Sequence, residues 1–203
     1  MFSRWLFSLI ALSFSIQINA QPKAAVAHLV TGNITGRIQF MEVDGGVQVT
    51  GNITGLEVGN YGFHIHELGD ITTCDTTGAH FNPDDTDHGG QNHTTRHVGD
   101  LGNVEFVGGE IPVATVNILD PLISLTGRNS ILGRALVLHE REDDLGQGGH
   151  ELSLSTGNAG ARVACAVIGI LTPEEPWNAA GIGAPSLYVL FTVVFLAIKD
   201  FMH

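Results

Sequence analysis

The chain has 203 residues, of which 43% are apolar and 15% are charged. This composition excludes a disordered or fibrous protein and fits one folded domain with some sequence attached. The 26 glycines and 7 prolines favour an all-β domain with many tight turns over a helical bundle. The net charge of −12 argues against a nucleic-acid partner, which needs a basic surface, and the sequence has no glycine-rich phosphate-binding motif.

The first twenty residues predict a secretory signal peptide. Residues 1–20 contain Arg4 and then an apolar run, and they end on polar and small residues with Ala20 at the predicted cleavage site. A buried N-terminal helix is the alternative, but it would need a polar face that this segment does not have. We therefore expect an exported domain that begins at residue 21.

The C-terminal residues 179–203 predict a membrane anchor. The uncharged segment Ala179–Ile198 would span about 30 Å as a helix, which matches the hydrocarbon core of a bilayer. Lys199 beyond it favours a transmembrane helix, whereas the small residues at 178–180 are compatible with a GPI-anchor signal. A soluble tail is the third alternative. In each case we expect the domain at residues 21–178 to lie outside the cell.

The middle segment, residues 21–178, predicts short strands with two long loops. It carries seven basic and twenty acidic residues, a formal charge of −13. Apolar and polar residues alternate over residues 47–53, directly after the turn sequence Asp44-Gly45-Gly46. Segments 67–100 and 140–160 are too long for simple turns, so we predict functional loops. The other predicted strands are Ala25–Val30, Arg37–Val43, Asn103–Val107, Ala135–His139 and Arg162–Ile170.

The hexamer TGNITG occurs at residues 31–36 and again at residues 50–55. No longer repeat surrounds either copy, so we interpret the match as coincidence rather than as repeat architecture. Each copy contains an N-x-T sequon, and a third sequon follows later in the chain. In an exported protein the candidate glycosylation sites are therefore Asn33, Asn52 and Asn92.

Part of the middle segment is rich in histidine. His64 and His66 are two residues apart in a strand-like sequence, so their side chains point to one face and can reach one ion. Neutral imidazole suits copper and zinc, whereas calcium and magnesium prefer oxygen ligands. The sequence has no CxxC pair, which excludes the common structural zinc finger. We predict a copper or zinc site on a β scaffold, built from His64, His66, His80, His88, His97, Asp100 and His139.

Six stretches carry a resemblance to a known family. In chain order they read GFHIHELGD, GAHFNP, HGG, RHVGDLGN, GRALVLHEREDDLGQGG and TGNAGARVACAVIGI. In order and spacing they resemble copper/zinc superoxide dismutase, over roughly residues 24–171. The resemblance implies an all-β fold, an eight-stranded Greek-key β sandwich or flattened barrel, with long metal-binding and electrostatic loops over the metals.

The resemblance also implies one copper and one zinc ion per subunit, with one histidine shared between them. The copper ligands would be His64, His66, His80 and His139, and the zinc ligands would be His80, His88, His97 and Asp100. Asp143 would hydrogen-bond one histidine of each set. Arg162 would attract and dock an anion. Cys74 and Cys165 would form a disulfide bond, which an oxidising compartment favours.

The implied activity is conversion of two superoxide radicals and two protons to dioxygen and hydrogen peroxide by alternating Cu(II)/Cu(I) redox. Arg162 and His80 would be the catalytic residues, the latter because it takes up and releases a proton. A homodimer is implied as well, and the apolar segment Val167–Leu171 is its candidate contact. Four histidines outside the pattern are interpreted as solvated, namely His28, His93, His150 and His203.

The complete residue set disfavours two alternatives. A non-catalytic metal carrier or structural sandwich would have lost a copper ligand or Arg162, and a copper-only enzyme would have lost part of the zinc set. One departure from the family concerns the channel rim, residues 151–155, which has one acid and no lysine. We therefore expect a rate that depends less on ionic strength than that of a lysine-bearing relative.

Overall fold

The structure is a computed structural model that describes residues 23–172. The predicted signal peptide at 1–20 and the predicted anchor at 179–203 lie outside the described residues. Within residues 23–172, no helix has the length and hydrophobicity required to cross a membrane.

Nine antiparallel strands form one rolled sheet. Their bounds are β1 Ala24–Thr31, β2 Ile34–Val43, β3 Gly46–Thr54, β4 Gly59–His66, β5 Asp100–Val107, β6 Val113–Asp120, β7 Ala135–His139, β8 Arg162–Val167 and β9 Gly169–Thr172. In the sheet they follow the order β8-β7-β4-β5-β6-β3-β2-β1-β9. Because β8, at one edge, also packs against β1, the sheet is a nearly closed barrel. This confirms the all-β class and the sandwich or barrel architecture.

The last predicted strand, Arg162–Ile170, is two strands in the structure. Ile168 interrupts it, since its N–H donates to the carbonyl of Arg134 and its carbonyl accepts from the N–H of Gly133, both at 2.9 Å. Before the interruption β8 pairs with β7, and after it β9 pairs with β1. The sheet therefore has nine strands rather than the expected eight, and this one segment joins its two ends.

The predicted turn between residues 44 and 46 connects β2 to β3. Gly45 and Gly46 have φ angles of 94° and 145°, a region that favours glycine. A Cβ atom at Gly46 would collide with the carbonyl oxygen of Asp120, so no larger residue fits there. In β3, Val47, Val49 and Ile53 are buried, which confirms the predicted alternation.

Strand β4 faces the core on one side and the long loops on the other. Phe63 and Ile65 are fully buried in the hydrophobic core, and His64 and His66 alternate with them on the opposite face. The connections before β5 and before β8 run beside this second face. They contain only a short 3₁₀ helix, Cys74–Thr77, and the four-residue helix α1, Ser153–Thr156. The two predicted long loops are therefore present.

A disulfide bond fastens the first long loop to the barrel. Cys74 and Cys165 are joined, with their Cα atoms 5.6 Å apart and a sequence separation of 91. This pairing confirms the one that the family resemblance implied. Because Cys165 lies in β8, the bond fixes the 3₁₀ helix against the edge of the sheet.

Candidate metal centre

Three buried histidines on adjacent strands form what we call the strand cluster: His64, His66 and His139. Strands β4 and β7 pair directly, with His64 opposite Val137. The Nε2 atoms of His66 and His139 lie 3.3 Å apart. The cluster therefore rests on the hydrogen-bonded framework of the sheet.

Each ring of the strand cluster is held by one nitrogen and leaves the other free. Nδ1 of His66 donates to the carbonyl of Gly78 at 2.9 Å, and Nδ1 of His139 donates to that of Gly160 at 3.1 Å. A carbonyl oxygen only accepts, so these Nδ1 atoms carry the proton and each Nε2 keeps a lone pair. His64 is reversed, because its Nε2 contacts Asp143 Oδ2 at 2.8 Å and its Nδ1 has no partner.

Three further side chains, from the first long loop and the start of β5, form what we call the loop cluster: His88, His97 and Asp100. Asp100 Oδ1 lies 3.2 Å from His97 Nδ1, and Oδ2 lies 3.0 Å from His88 Nδ1. The contact between Asp100 Oδ2 and His88 Nδ1 is not aligned as a hydrogen bond, so His88 Nδ1 has no hydrogen-bond partner. Oδ2 also accepts from the backbone N–H groups of Gly89 and His97, which fixes the carboxylate.

His80 lies between the two clusters and belongs to both. An isolated β bridge to His66 places it beside the end of β4. Its Nδ1 lies 2.9 Å from Asp100 Oδ1 and 3.4 Å from His97 Nδ1, whereas its buried Nε2 has no hydrogen-bond partner. Potential ligand atoms of His80 fall within 4.8 Å of those of the strand cluster and also of those of the loop cluster.

Asp143 in the second long loop links the two clusters from outside. Oδ2 contacts His64 Nε2 and Oδ1 contacts His88 Nε2, both at 2.8 Å. Its backbone is held in turn by Asn103, through two hydrogen bonds of 2.8 Å. A Cβ atom at Gly157 would collide with Asp143 Oδ1, so glycine there leaves the carboxylate its space between the rings.

The donor atoms fit metal ions. Among the described residues, four buried side-chain atoms lack a hydrogen-bond partner, and three of them are ring nitrogens of His64, His80 and His88. Tetrahedral zinc with bonds of about 2.0–2.1 Å requires ligand atoms about 3.3–3.4 Å apart. The separations of 2.9, 3.2 and 3.4 Å among His80 Nδ1, His97 Nδ1 and Asp100 Oδ1 are close to that spacing.

The two clusters differ in their electrostatics. Burial is the largest factor that lowers the pKa of His64 to about 3 and that of His139 to about 4, so these rings are neutral and ready to bind a cation. Burial also acts to lower the pKa of His88, but its interactions with the carboxylates of Asp100 and Asp143 outweigh burial and raise the pKa to about 9. The carboxylates of Asp100 and Asp143 thus create an environment at His88 that favours positive charge.

Arg162 lies beside the strand cluster. It begins β8 and pairs across the sheet with His139, so the two side chains are neighbours. Burial first, and then positive charges that include Arg162, lower the pKa values of His66 and His139. The guanidinium is partly exposed and its Nη1 donates to the turn that contains Cys74.

The sequence did not reveal the role of Arg96. This buried arginine precedes His97 and donates to the backbone carbonyls of His97, Val98 and Asp100 at 3.2, 3.4 and 2.9 Å. Its Nη2 forms a buried ion pair of 2.7 Å with Asp120. Arg96 therefore holds the turn of the loop cluster against the end of β6, and no local pattern announces a contact between residues 24 positions apart.

The other described histidines stand outside both clusters. His28 and His150 are exposed. His93 is tied to the loop by the N–H of Gly90, and His203 lies outside the described residues. The three sequon asparagines, Asn33, Asn52 and Asn92, are all exposed.

Comparison with known proteins agrees with this geometry. Residues 34–168 match the family model described as copper/zinc superoxide dismutase. The crystal structure of a protein described as the clock protein EA4 is similar to this chain, and the two sequences are 51% identical. The match covers 80% of this chain and 100% of that one, with a TM-score of 0.71. The match to the family model, supported by the two histidine clusters, shows that this chain belongs to the copper/zinc superoxide dismutase family.

Proposed function

We propose that this protein is a superoxide dismutase that acts outside the cell. The single observation that carries the proposal is the placement of His80 between two complete sets of ligand atoms, with Arg162 beside one of them. In a protein with no ligand at this site, unpaired buried nitrogens would only lower the free energy of unfolding, because a buried polar atom without a partner is unfavourable. A bound ion would give these nitrogens a partner.

The donor sets support one copper and one zinc ion. The strand cluster with His80 offers four imidazole nitrogens, a set that suits Cu(II). The loop cluster with His80 offers three nitrogens and one carboxylate, a set that suits zinc. When bound, copper would supply a reversible one-electron change and zinc a fixed positive charge.

The protein residues bind, orient and supply protons. Asp143, Gly78 and Gly160 fix the rings of the strand cluster, so that each presents a lone pair toward a common point. The overall reaction combines two superoxide radicals and two protons into dioxygen and hydrogen peroxide. His80 Nε2 is buried and has no protein partner, so it is the atom at which a proton can be held next to the reacting site.

Arg162 attracts the anionic substrate. The net charge of the domain is negative and repels superoxide. Attraction of the substrate therefore requires a positively charged group near the site. Arg162 is a partly exposed guanidinium next to His139, and it provides that charge together with directed N–H donors.

The decay of superoxide in the presence of purified protein tests the proposal. Protein loaded with copper and zinc should accelerate the decay, and Arg162→Ala should lower kcat/KM about tenfold or more, since it removes a charged donor. Arg37→Ala is the matched control, because Arg37 is an exposed arginine in β2. That strand pairs with β1 and β3, and none of these three strands contributes a residue to either cluster. If the fully loaded protein leaves superoxide to decay at its spontaneous rate, the proposal is wrong.

A metal-binding protein without dismutase activity is the second candidate. It needs a test because one similar protein is described as a clock protein rather than as an enzyme. Such a role does not require Arg162 beside the strand cluster. The same assay separates the candidates, since a carrier would bind both metals and leave the decay rate unchanged.

We also propose attachment of the domain to the cell surface through residues 179–203. Thr172, the last described residue, pairs with Ala24 at one end of β1, whereas Asn33 lies just beyond the other end of that strand. A glycan at Asn33 would thus lie at the end of β1 opposite to Thr172. Release from cells by a phosphatidylinositol-specific phospholipase would indicate a GPI anchor, and retention would indicate a transmembrane helix.

A homodimer through the end of β8 and through β9 is the proposed assembly. Val167 and Ile170 are 37% and 51% exposed, and Leu68 is 49% exposed. Gly69, which follows Leu68, packs on Gly133, and the N–H of Gly133 donates to the carbonyl of Ile168. Leu68 therefore lies near the junction of β8 and β9, on the same part of the surface as Val167 and Ile170. Ile170→Glu should shift the protein to a monomer in analytical ultracentrifugation, whereas an unchanged mass would exclude this contact.

A further inference from the structure

Thr77 is a buried threonine beside the guanidinium of Arg162. It ends the 3₁₀ helix Cys74–Thr77 and has no exposed surface. Its hydroxyl accepts a hydrogen bond from Arg162 Nη1 at 2.9 Å and donates one to the carbonyl of Cys74 at 2.8 Å. A hydroxyl has one proton and two lone pairs, so the two bonds coexist, and the donated bond orients a lone pair toward Nη1.

Only one nitrogen of Arg162 is used for this attachment. Besides Thr77, Nη1 donates to the carbonyls of Cys74 and Asp75, each at 3.1 Å. Within residues 23–172, Nε and Nη2 of Arg162 make no hydrogen bond that meets the usual geometry. The three acceptors thus hold one corner of the planar group, and its other donors remain available to a ligand.

Thr77 differs from the two carbonyl acceptors in its surroundings. Asp75 is exposed and Cys74 is partly exposed, whereas Thr77 is fully buried. Its backbone carbonyl also accepts from the N–H of Leu68 at 2.9 Å, which ties the residue to the chain after β4. Thr77 is therefore the one fully buried residue among the three whose oxygen atoms accept from Arg162 Nη1.

We propose that Thr77 is a positioning residue for Arg162. Its hydroxyl fixes Nη1, and this fixed corner presents Nε and Nη2 to a small anion beside His139. The inference rests on the proposed function, because it concerns how the enzyme docks superoxide. A firmly held guanidinium binds an anion better than a mobile one, since less conformational entropy is lost on binding.

Two variants of Thr77 test the proposal. Thr77→Val keeps the shape and removes the hydroxyl, whereas Thr77→Ser keeps the hydroxyl. The matched control is Thr76→Val, because the Thr76 hydroxyl bonds only to the backbone of Asp70 and Thr73 and not to Arg162. Thermal unfolding and metal content show whether each variant folds, and Thr77→Ala replaces Thr77→Val if the latter does not.

The decisive measurement does not depend on activity. Metal-free protein with its disulfide intact is treated with phenylglyoxal, which reacts with the terminal nitrogens of arginine, and modification of Arg162 is followed by peptide mass spectrometry. Thr77→Val should raise the modification rate of Arg162 several-fold, while Thr77→Ser and Thr76→Val should match the wild type. An unchanged rate in Thr77→Val, or an equal increase in Thr77→Ser, would overturn the proposal.

A second measurement links positioning to catalysis. In metal-loaded protein, Thr77→Val should lower kcat/KM for superoxide about five- to tenfold and weaken inhibition by azide by a similar factor. If the wild type does not dismute superoxide but Thr77→Val still exposes Arg162 to phenylglyoxal, the proposed function fails and the role of Thr77 stands. If the wild type is active and neither readout changes in Thr77→Val, only the role of Thr77 fails.

Discussion

The strand cluster and the loop cluster use similar imidazoles but are built differently. His64, His66 and His139 come from paired strands and are backed by the core, and two of them are oriented by backbone carbonyls. His88 and His97 come from a long loop that is held by Arg96, Asp100 and Asp143. The strand cluster is therefore preorganised by the sheet, whereas the loop cluster is held in place by buried charged groups.

This contrast explains a division of work between the proposed ions. A redox ion that changes charge needs ligands whose positions hardly move, and the sheet provides them. An ion of constant charge can instead stabilise a loop. The loop cluster suits such an ion, because the carboxylate of Asp100 and the raised pKa of His88 show an environment that favours positive charge. Loss of the strand cluster should therefore lower activity, and loss of the loop cluster should disorder the first long loop.

The largest expected effect comes from the strand cluster. His66→Ala should lower superoxide dismutase activity at least about 100-fold, because even residues that only orient a metal ligand change activity about 10–100-fold. Zinc content should change little, since the loop cluster keeps all its residues. His93→Ala is the control, with activity expected to remain; retention of activity in His66→Ala would refute the assignment.

Asp143 tests how far the clusters are independent. Asp143→Asn removes the charge that orients both His64 and His88 and should weaken metal binding in each cluster about 10–100-fold. Competition with a chelator, followed separately for copper and zinc, measures both losses. A change confined to one metal would show that the two clusters do not share this support.

The disulfide tests how the loop is attached. The double variant Cys74→Ser, Cys165→Ser should lower the free energy of unfolding by about 4–5 kcal/mol in the chain-entropy model for a loop of this length. It should also lower kcat/KM, since the acceptors of Arg162 lie in the released turn. Chemical denaturation of the variant and of the wild type gives the difference; equal stabilities would show that the loop is held by its other contacts.

The channel rim provides the smallest expected effect. Leu154 is 54% exposed on α1, and its carbonyl accepts from the N–H of His88, so α1 lies against the loop cluster. Leu154→Lys should raise the rate about two- to threefold at low salt and make it fall more steeply with ionic strength, because it adds a positive charge near the metal centre. Leu154→Gln is the uncharged control. A wild-type rate that already falls steeply with salt would contradict the expectation drawn from the lysine-free rim.

Much of the fold could be predicted because its signals are local. The alternation in β3, the turn at Gly46 and the two long loops all follow from nearby residues. Strand β6 was not predicted, and the split of the last strand at Ile168 was not either. That split depends on hydrogen bonds to Gly133 and Arg134, which no local pattern contains.

The site divides in the same way. The spacing of His64 and His66 predicted a shared face, and the family resemblance divided the predicted ligands between two ions and implied the disulfide. The contacts of Arg96 with Asp120 and of Thr77 with Arg162 join residues that are far apart in sequence. These contacts depend on the tertiary structure, so no local sequence pattern predicts them.

The proposed function requires that one ring, that of His80, belongs to both metal sites. Electron paramagnetic resonance of protein with Cu(II) in both clusters tests it most directly, because a shared imidazole couples the two unpaired electrons. We predict a signal much weaker than the copper content requires, restored to full intensity when zinc fills the loop cluster. Two independent Cu(II) signals at full intensity in the doubly loaded protein would contradict the account.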